Sequence, residues 1–274
     1  MKKYGVGNTQ IIPLSDGRLI FDRDSFFNDQ EDSDWEPYPD YHSASFDLNI
    51  GCLVIQTTNR CILVDTGLGQ LDHGLIQPLG QTLLKELHVA GLDPADIDIV
   101  FITHLHIDHV GTNMTETDSK WIPTFPNATY MAPAADWKLF SKMIDKKPFS
   151  YLKQQILPLL ESSLLELFEG QKKISPEVKT IPTPGHTPGH TSLLIESKRE
   201  KAIVIGDAIH IPPQLNEPHW SPRVDRNKEL SAQTRQQLVK TIEEENASIV
   251  AGHFPAPGIG KFKTINSKGT YLPF

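Results

Sequence analysis

Apolar residues in this chain gather mostly in short runs bounded by turn-forming residues, a spacing that predicts strands more often than helices. The first run, "TQIIPLSDGRLIF", reads as a hairpin turning at Ser15-Asp16-Gly17. Residues 22–45 follow as a polar, acidic loop carrying Phe26, Phe27, Trp35, Tyr38 and Tyr41, a composition that suits a lid or a dimer contact. "FDLNIGCLVIQ" and "CILVDTG" then predict two strands joined by the short polar turn "TTNR". Helical spacing is seen in "LIQPLGQTLLKELHVAG", which stops at Gly91, and in "SYLKQQILPLLESSLLELFEG", which Pro158 should kink or divide. A late surface helix is expected over "KELSAQTRQQLVKTIEEENA". No fixed-period repeat and no Gly/Ser linker divides the chain, so residues 1–274 read as one domain.

The informative feature is where the apolar runs stop. "IVFIT" runs into His104, "CILV" into Asp65, "AIVIG" into Asp207 and "SIVAG" into His253. A weaker strand at "VKTI" leads to "PTPGHTPGH", with His186 and His190. Strand ends and the loops after them are where layered α/β folds collect ligands and catalytic groups. Several strand ends that deliver only His or Asp predict one convergent cluster.

Composition narrows the classes. Of the 274 residues, 38% are hydrophobic and 22% charged, enough for a sizeable core, and the formal net charge of −8 argues against a nucleic-acid surface. Cys52 and Cys61 make neither a disulfide framework nor a CxxC motif, and reduced core residues are expected. "MKKYGVGNTQ" lacks an apolar stretch behind its lysines, and no run reaches membrane-span length. A cytoplasmic protein with no membrane partner is the expectation.

The stretch "FITHLHIDHVG" leaves a strand with His104, His106, Asp108 and His109 in close succession. His104 and His106, two apart on extended backbone, can point the same way. The spacing differs from the i, i+4 pair of helical HExxH zinc sites. Imidazoles and carboxylates without thiolates suit zinc first, with manganese, iron or cobalt as alternatives. With Asp108 and a bridging Asp207, two ions become feasible, and such a pair generates hydroxide near neutral pH.

These residues resemble a known family. "THLHIDHVG" is similar to the HxHxDH motif of the metallo-β-lactamase-fold hydrolases, and "VDTG", "PTPGHTPGH", "GD" at Gly206-Asp207 and "GH" at Gly252-His253 resemble its other motifs in the same order. The resemblance implies a four-layer αβ/βα sandwich of two mixed sheets flanked by helices. It implies His104, His106 and His186 on one metal, Asp108, His109 and His253 on a second, and Asp207 bridging both. Asp65 would orient a ligand histidine, and His190 is left as either a supporting or a structural residue.

Within the family the chain looks nearest the acyl-homoserine lactonases and the methyl parathion hydrolase-like group. No evident basic exosite of the ribonuclease-like kind is seen, the added C-terminal region of glyoxalase II-like thioesterases is not expected, and the motif does not carry the ligand change of flavodiiron proteins. The implied reaction is attack of a metal-bridging hydroxide on a cyclic or activated ester, a lactone first, with Asp108, Asp207 and His210 as catalytic residues. His210 stands three residues after Asp207, where the best-known lactonases place a Tyr. Phosphotriester or aryl ester hydrolysis, thioester hydrolysis and mononuclear iron sulfur dioxygenation remain the alternatives. Trp220 and the loop aromatics are expected either to line an apolar pocket or to form a homodimer contact.

Overall fold

The computed structural model describes residues 2–70, 79–118, 120–146, 149–265 and 268–274. Two mixed sheets face each other. The first runs in the order Tyr4–Val6, Thr9–Asp22, Ser45–Gln56, Cys61–Val64, Ile99–Phe101, Thr129–Pro133, Leu165–Phe168. The second runs Val178–Pro182, Thr191–Ser197, Glu200–Val204, Ser248–Val250, Ile259–Ile265, Lys268–Pro273. Leu53, Ile55, Val64 and Phe101 from one sheet meet Leu193, Ile195, Val204 and Val250 from the other in a shared dry layer. Helices cover the outer faces: Leu83–Val89, Ala134–Phe140 and the pair Tyr151–Gln155 and Leu157–Glu161 on the first sheet, and Lys228–Glu244 on the second. The expected four-layer sandwich is borne out.

Parallel pairing explains why the polar strand ends converge. Cys61–Val64, Ile99–Phe101 and Thr129–Pro133 run parallel, as do Glu200–Val204 and Ser248–Val250. Parallel neighbours end on the same edge, so Asp65 and His104 leave the first sheet side by side, and Asp207 and His253 leave the second in the same way.

Three local expectations are corrected. Ser15-Asp16-Gly17 is not a turn: Thr9–Asp22 is one strand, and its register on Ser45–Gln56 jumps between Ser15 and Arg18. The extra residue is a bulge, and it turns the buried Asp16 carboxylate onto the backbone N–H groups of Leu68, Gly69 and Leu83. "LLELF" is a strand, Leu165–Phe168, parallel to Thr129–Pro133, because a short apolar run carries no reliable period. The helix ending at Gly91 begins only at Leu83, Leu79–Gly80 pair with the long strand instead, and residues 75–78 of the expectation lie outside the described residues.

Residues 22–45 are not an open loop. They form a turn of helix at Arg23–Phe26 and two 3₁₀ turns, and Phe26, Phe27 and Trp35 are fully buried. Trp35 meets Trp220 at 4.6 Å between ring centroids and Phe27 at 5.6 Å. Buried Arg23 lies over Trp35 and pairs with Asp24 and Asp32. These rings are used inside the chain, forming a packed cap beside the polar strand ends. Cys52 is buried, Cys61 half-buried, and both are free thiols.

Candidate metal centre

The chain leaves Ile99–Phe101 through Ile102 and Thr103 into His104 and His106, then makes one helical turn, Ile107–Val110, that carries Asp108 and His109. His186 comes from the loop after Val178–Pro182, Asp207 from the turn after Glu200–Val204, and His253 follows Ser248–Val250. The structure brings all seven sequence-selected residues together. Ligand atoms of His104, His106, His186 and Asp207 lie within 4.8 Å of one another, and so do those of Asp108, His109 and His253.

Hydrogen bonds behind the imidazoles fix which nitrogen faces inward. His109 Nδ1 meets Asp65 Oδ2 at 2.8 Å, His186 Nδ1 meets Asp225 Oδ1 at 2.9 Å, and His253 Nδ1 meets the Asn49 carbonyl at 2.7 Å. His104 Nδ1 meets Thr103 Oγ1 at 3.0 Å, whose own proton goes to Asp65. All four acceptors require a proton on Nδ1, so four Nε2 lone pairs point into the centre. His106 is reversed and presents Nδ1, 3.0 Å from His104 Nε2 and 2.9 Å from His186 Nε2. One proton on His106 can bridge only one of these contacts, which leaves lone pairs opposed at hydrogen-bond distance.

That opposition is the test of fit for a cation, and the residues pass it. His109 Nε2 and Asp207 Oδ1 are buried without a hydrogen-bond partner among the described residues. Burial and neighbouring imidazoles push the charged forms of His104 and His106 well down, so these two are neutral donors ready for a metal. At His109 and His253 burial opposes the charge, but Asp207 and Asp108 outweigh it and raise both. Asp207 itself stays ionised: burial works against it, and the imidazoles, His109 first, hold it far below the usual carboxylate range. Such a field calls for positive charge between the rings, which protons supply poorly and divalent ions supply well.

Asp207 occupies the middle. Its Oδ2 is 3.1 Å from His253 Nε2, 3.4 Å from His186 Nε2 and 3.6 Å from His104 Nε2, while Oδ1 is 3.3 Å from His109 Nε2. His190 sits behind it. Its Nε2 accepts the Asp207 backbone N–H at 2.9 Å, its Nδ1 bonds Thr183, and burial pushes it down to about 3. It is therefore a neutral prop for the Asp207 backbone. Gly206 permits the approach, since a Cβ there would lie 2.5 Å from His190 Nε2.

Asp65 holds its backbone at φ 58°, a left-handed conformation that short polar residues tolerate, and so clamps both Thr103 and His109. His210, fully buried, packs on Phe26 and stacks at 5.5 Å on His253; its Nε2 lies 3.4 Å from Asp207 Oδ2. Its Nδ1 has no partner among the described residues, so the proton belongs on Nε2. Two residues escaped the sequence reading. Asp136 ties the two histidine loops together, accepting from Leu105 N–H, Thr187 Oγ1 and Gly189 N–H. Asp225 backs His186. Neither ends an apolar strand, so neither gave a signal.

A cavity of about 790 Å³ opens directly onto the centre. Leu19, Phe21, Phe26, Leu48, Ile107 and Phe149 form its apolar wall; His106, Asp108, His186, Asp207, His210 and His253 form its floor. Trp220, expected as a pocket candidate, instead lies inside the aromatic cap, while Phe26 faces both.

The fold and the seven-residue centre place the chain among metal-dependent hydrolases of one large family: a model of the Metallo-beta-lactamase superfamily matches residues 47–253, and the chain belongs to that superfamily. An N-acyl homoserine lactonase from a Bacillus species is 29% identical over 223 residues, 76% of this chain and 82% of that protein. N-acyl homoserine lactonase AttM from Rhizobium radiobacter is 29% identical over 190 residues, 64% of this chain and 65% of its own. Among solved structures, the hydrolase AbOPH matches with a TM-score of 0.86 at 26% identity, covering 99% of this chain and 96% of that one. AidC, a dizinc quorum-quenching lactonase solved with a product, matches with a TM-score of 0.82 at 25% identity, covering 100% and 97%.

Proposed function

We propose that this chain, acting as a single domain, is a hydrolase of N-acyl homoserine lactones that works with two divalent ions, zinc first among them. The observation that carries the reading is an apolar cavity lying directly on two cradles of inward-facing lone pairs. In this reading His104, His106 and His186 hold one ion, Asp108, His109 and His253 the other, and Asp207 lies between them. Bound there, the ions supply Lewis acidity toward an ester carbonyl and a water ionised near neutral pH.

The chain's own residues do the rest. Asp207, fixed from behind by His190, keeps the two cradles at a constant separation. The Asp108 carboxylate faces the cavity and can accept the proton released when the carbonyl is attacked. His210 offers Nε2–H toward oxygen that gains negative charge. The wall from Leu19 to Phe149 takes the acyl chain and excludes water, while Arg223 and Arg226 stand at the exposed side of the cavity. No helix among the described residues is long and apolar enough to cross a membrane. The formal net charge of −8 supports a small-molecule substrate over nucleic acid. A cytoplasmic location and a homodimer stay part of the reading on sequence grounds.

A second reading, hydrolysis of aryl phosphotriesters, is favoured by His210 at the position after Asp207 where the best-known lactonases carry Tyr. The test is proton release from N-decanoyl-homoserine lactone and from an aryl phosphotriester by the purified protein. Fast lactone opening, lost in Asp207→Ala, supports the first reading. Preference for the phosphotriester moves the assignment to the second. An inert lactone with a single iron per chain overturns both in favour of sulfur oxygenation.

A further inference from the structure

The helix Lys228–Glu244 covers the outer face of the second sheet, yet one of its side chains reaches the back of the metal centre. Arg235 is fully buried. Its guanidinium donates Nε–H to the Pro218 carbonyl at 2.7 Å, Nη1–H to Asp225 Oδ2 at 3.0 Å and to the Ala208 carbonyl at 3.3 Å, and Nη2–H to Ser221 Oγ. The other Asp225 oxygen faces His186 Nδ1. His186, Asp225 and Arg235 thus form an unbroken buried chain in which both carboxylate oxygens are held from opposite sides.

Stability alone does not explain this arginine. Burying an ion pair costs desolvation that apolar residues of similar size would avoid, and such replacements are often neutral or stabilising. Leu238 and Ile242 on the same buried side show what the helix uses for ordinary contact with the sheet. All four Arg235 acceptor residues fall between Ala208 and Asp225, on the segment that leaves Asp207 and returns behind His186. The guanidinium therefore fixes that segment against the centre. Without it one oxygen of Asp225 would be buried unpaired, and the carboxylate would be free to turn from His186.

We propose that Arg235 is a positioning residue that acts through Asp225 to hold the His186 lone pair inward, and so sets the metal affinity of the His104–His106–His186 cradle alone. The other cradle is oriented independently, by Asp65 behind His109 and by the Asn49 carbonyl behind His253. The inference rests on the reading of His186 as a ligand.

The experiment is calorimetric titration of Co²⁺ into the metal-stripped full chain, with a thermal melt of each variant as a folding control. Wild type should bind two equivalents. Arg235→Met and Asp225→Asn should each weaken one equivalent by about 10- to 100-fold and leave the other unchanged. The double variant should lose no more than the worse single one, because both act on one contact. Arg235→Lys, which keeps the cation but not the fork, should recover part of the loss; with Asp225→Asn it carries the comparison if Arg235→Met does not fold. A lower melting point with both equivalents intact, equal weakening of both, or additive losses would overturn the proposal. His186→Ala separates the two levels: losing one equivalent there while Arg235→Met keeps both tight removes only the role of Arg235, and keeping both in His186→Ala removes the ligand reading and this proposal together.

Discussion

Two regions meet at Asp207 and are built on opposite principles. On the metal side four imidazoles have the outer nitrogen tied to a carboxylate, a carbonyl or a hydroxyl, and the backbone of Asp207 is propped by His190. On the substrate side the wall from Leu19 to Phe149 is made of side chains that offer contact without direction. The first region has one permitted arrangement; the second can take a family of acyl chains. Chemistry is thus fixed by hydrogen bonds, whereas specificity is left to shape and area.

If that contrast holds, substitutions should sort by region. The largest effect belongs to Asp207→Ala, which removes the one carboxylate that lies against the inward nitrogens of both cradles. Removing one partner of such a buried charged cluster costs about 3–5 kcal/mol, or about 10²- to 4 × 10³-fold if it falls on metal affinity, and metal content after dialysis should fall below two per chain with activity lost. Next comes His190→Ala. It touches no ligand atom but strands the buried Asp207 N–H, a cost of about 1–3 kcal/mol that should be visible in both the urea midpoint and metal affinity.

Phe27→Ala should separate the regions in the other direction. It opens the aromatic cap, costing about 3–5 kcal/mol in denaturant unfolding, while the metal stoichiometry of the folded protein stays at two. The smallest effect is expected on the wall. Across an acyl-homoserine lactone series, KM should fall by about fourfold per added methylene until the cavity is filled, following about 0.8 kcal/mol per buried CH₂, with kcat nearly constant. A kcat that tracks chain length would mean that the wall orients the reacting carbonyl, and the division between the two regions would fail.

The same division governs what could be read from the sequence. His104, Asp65, Asp207 and His253 end apolar strands, and parallel pairing carries such ends to one edge, so the cluster is legible in the sequence. Asp225, Asp136 and Arg235 reach the centre only through tertiary approach, from a loop, a short helix and the inner face of a long one. Local pattern carries no trace of that. Asp16-Gly17 misled for a related reason. The same dipeptide chemistry serves a hairpin turn or a strand bulge, and only the register opposite Ile50 decides between them. "LLELF" failed because four or five apolar residues fit a helix or a strand equally until a parallel neighbour selects one.

The most direct measurement is anomalous diffraction at the zinc edge from crystals of the zinc-loaded protein. Two peaks are predicted, one among His104, His106 and His186 and one among Asp108, His109 and His253, each within bonding distance of Asp207. A single peak, or zinc lying outside these residues, would contradict the two-ion centre on which the proposed chemistry depends.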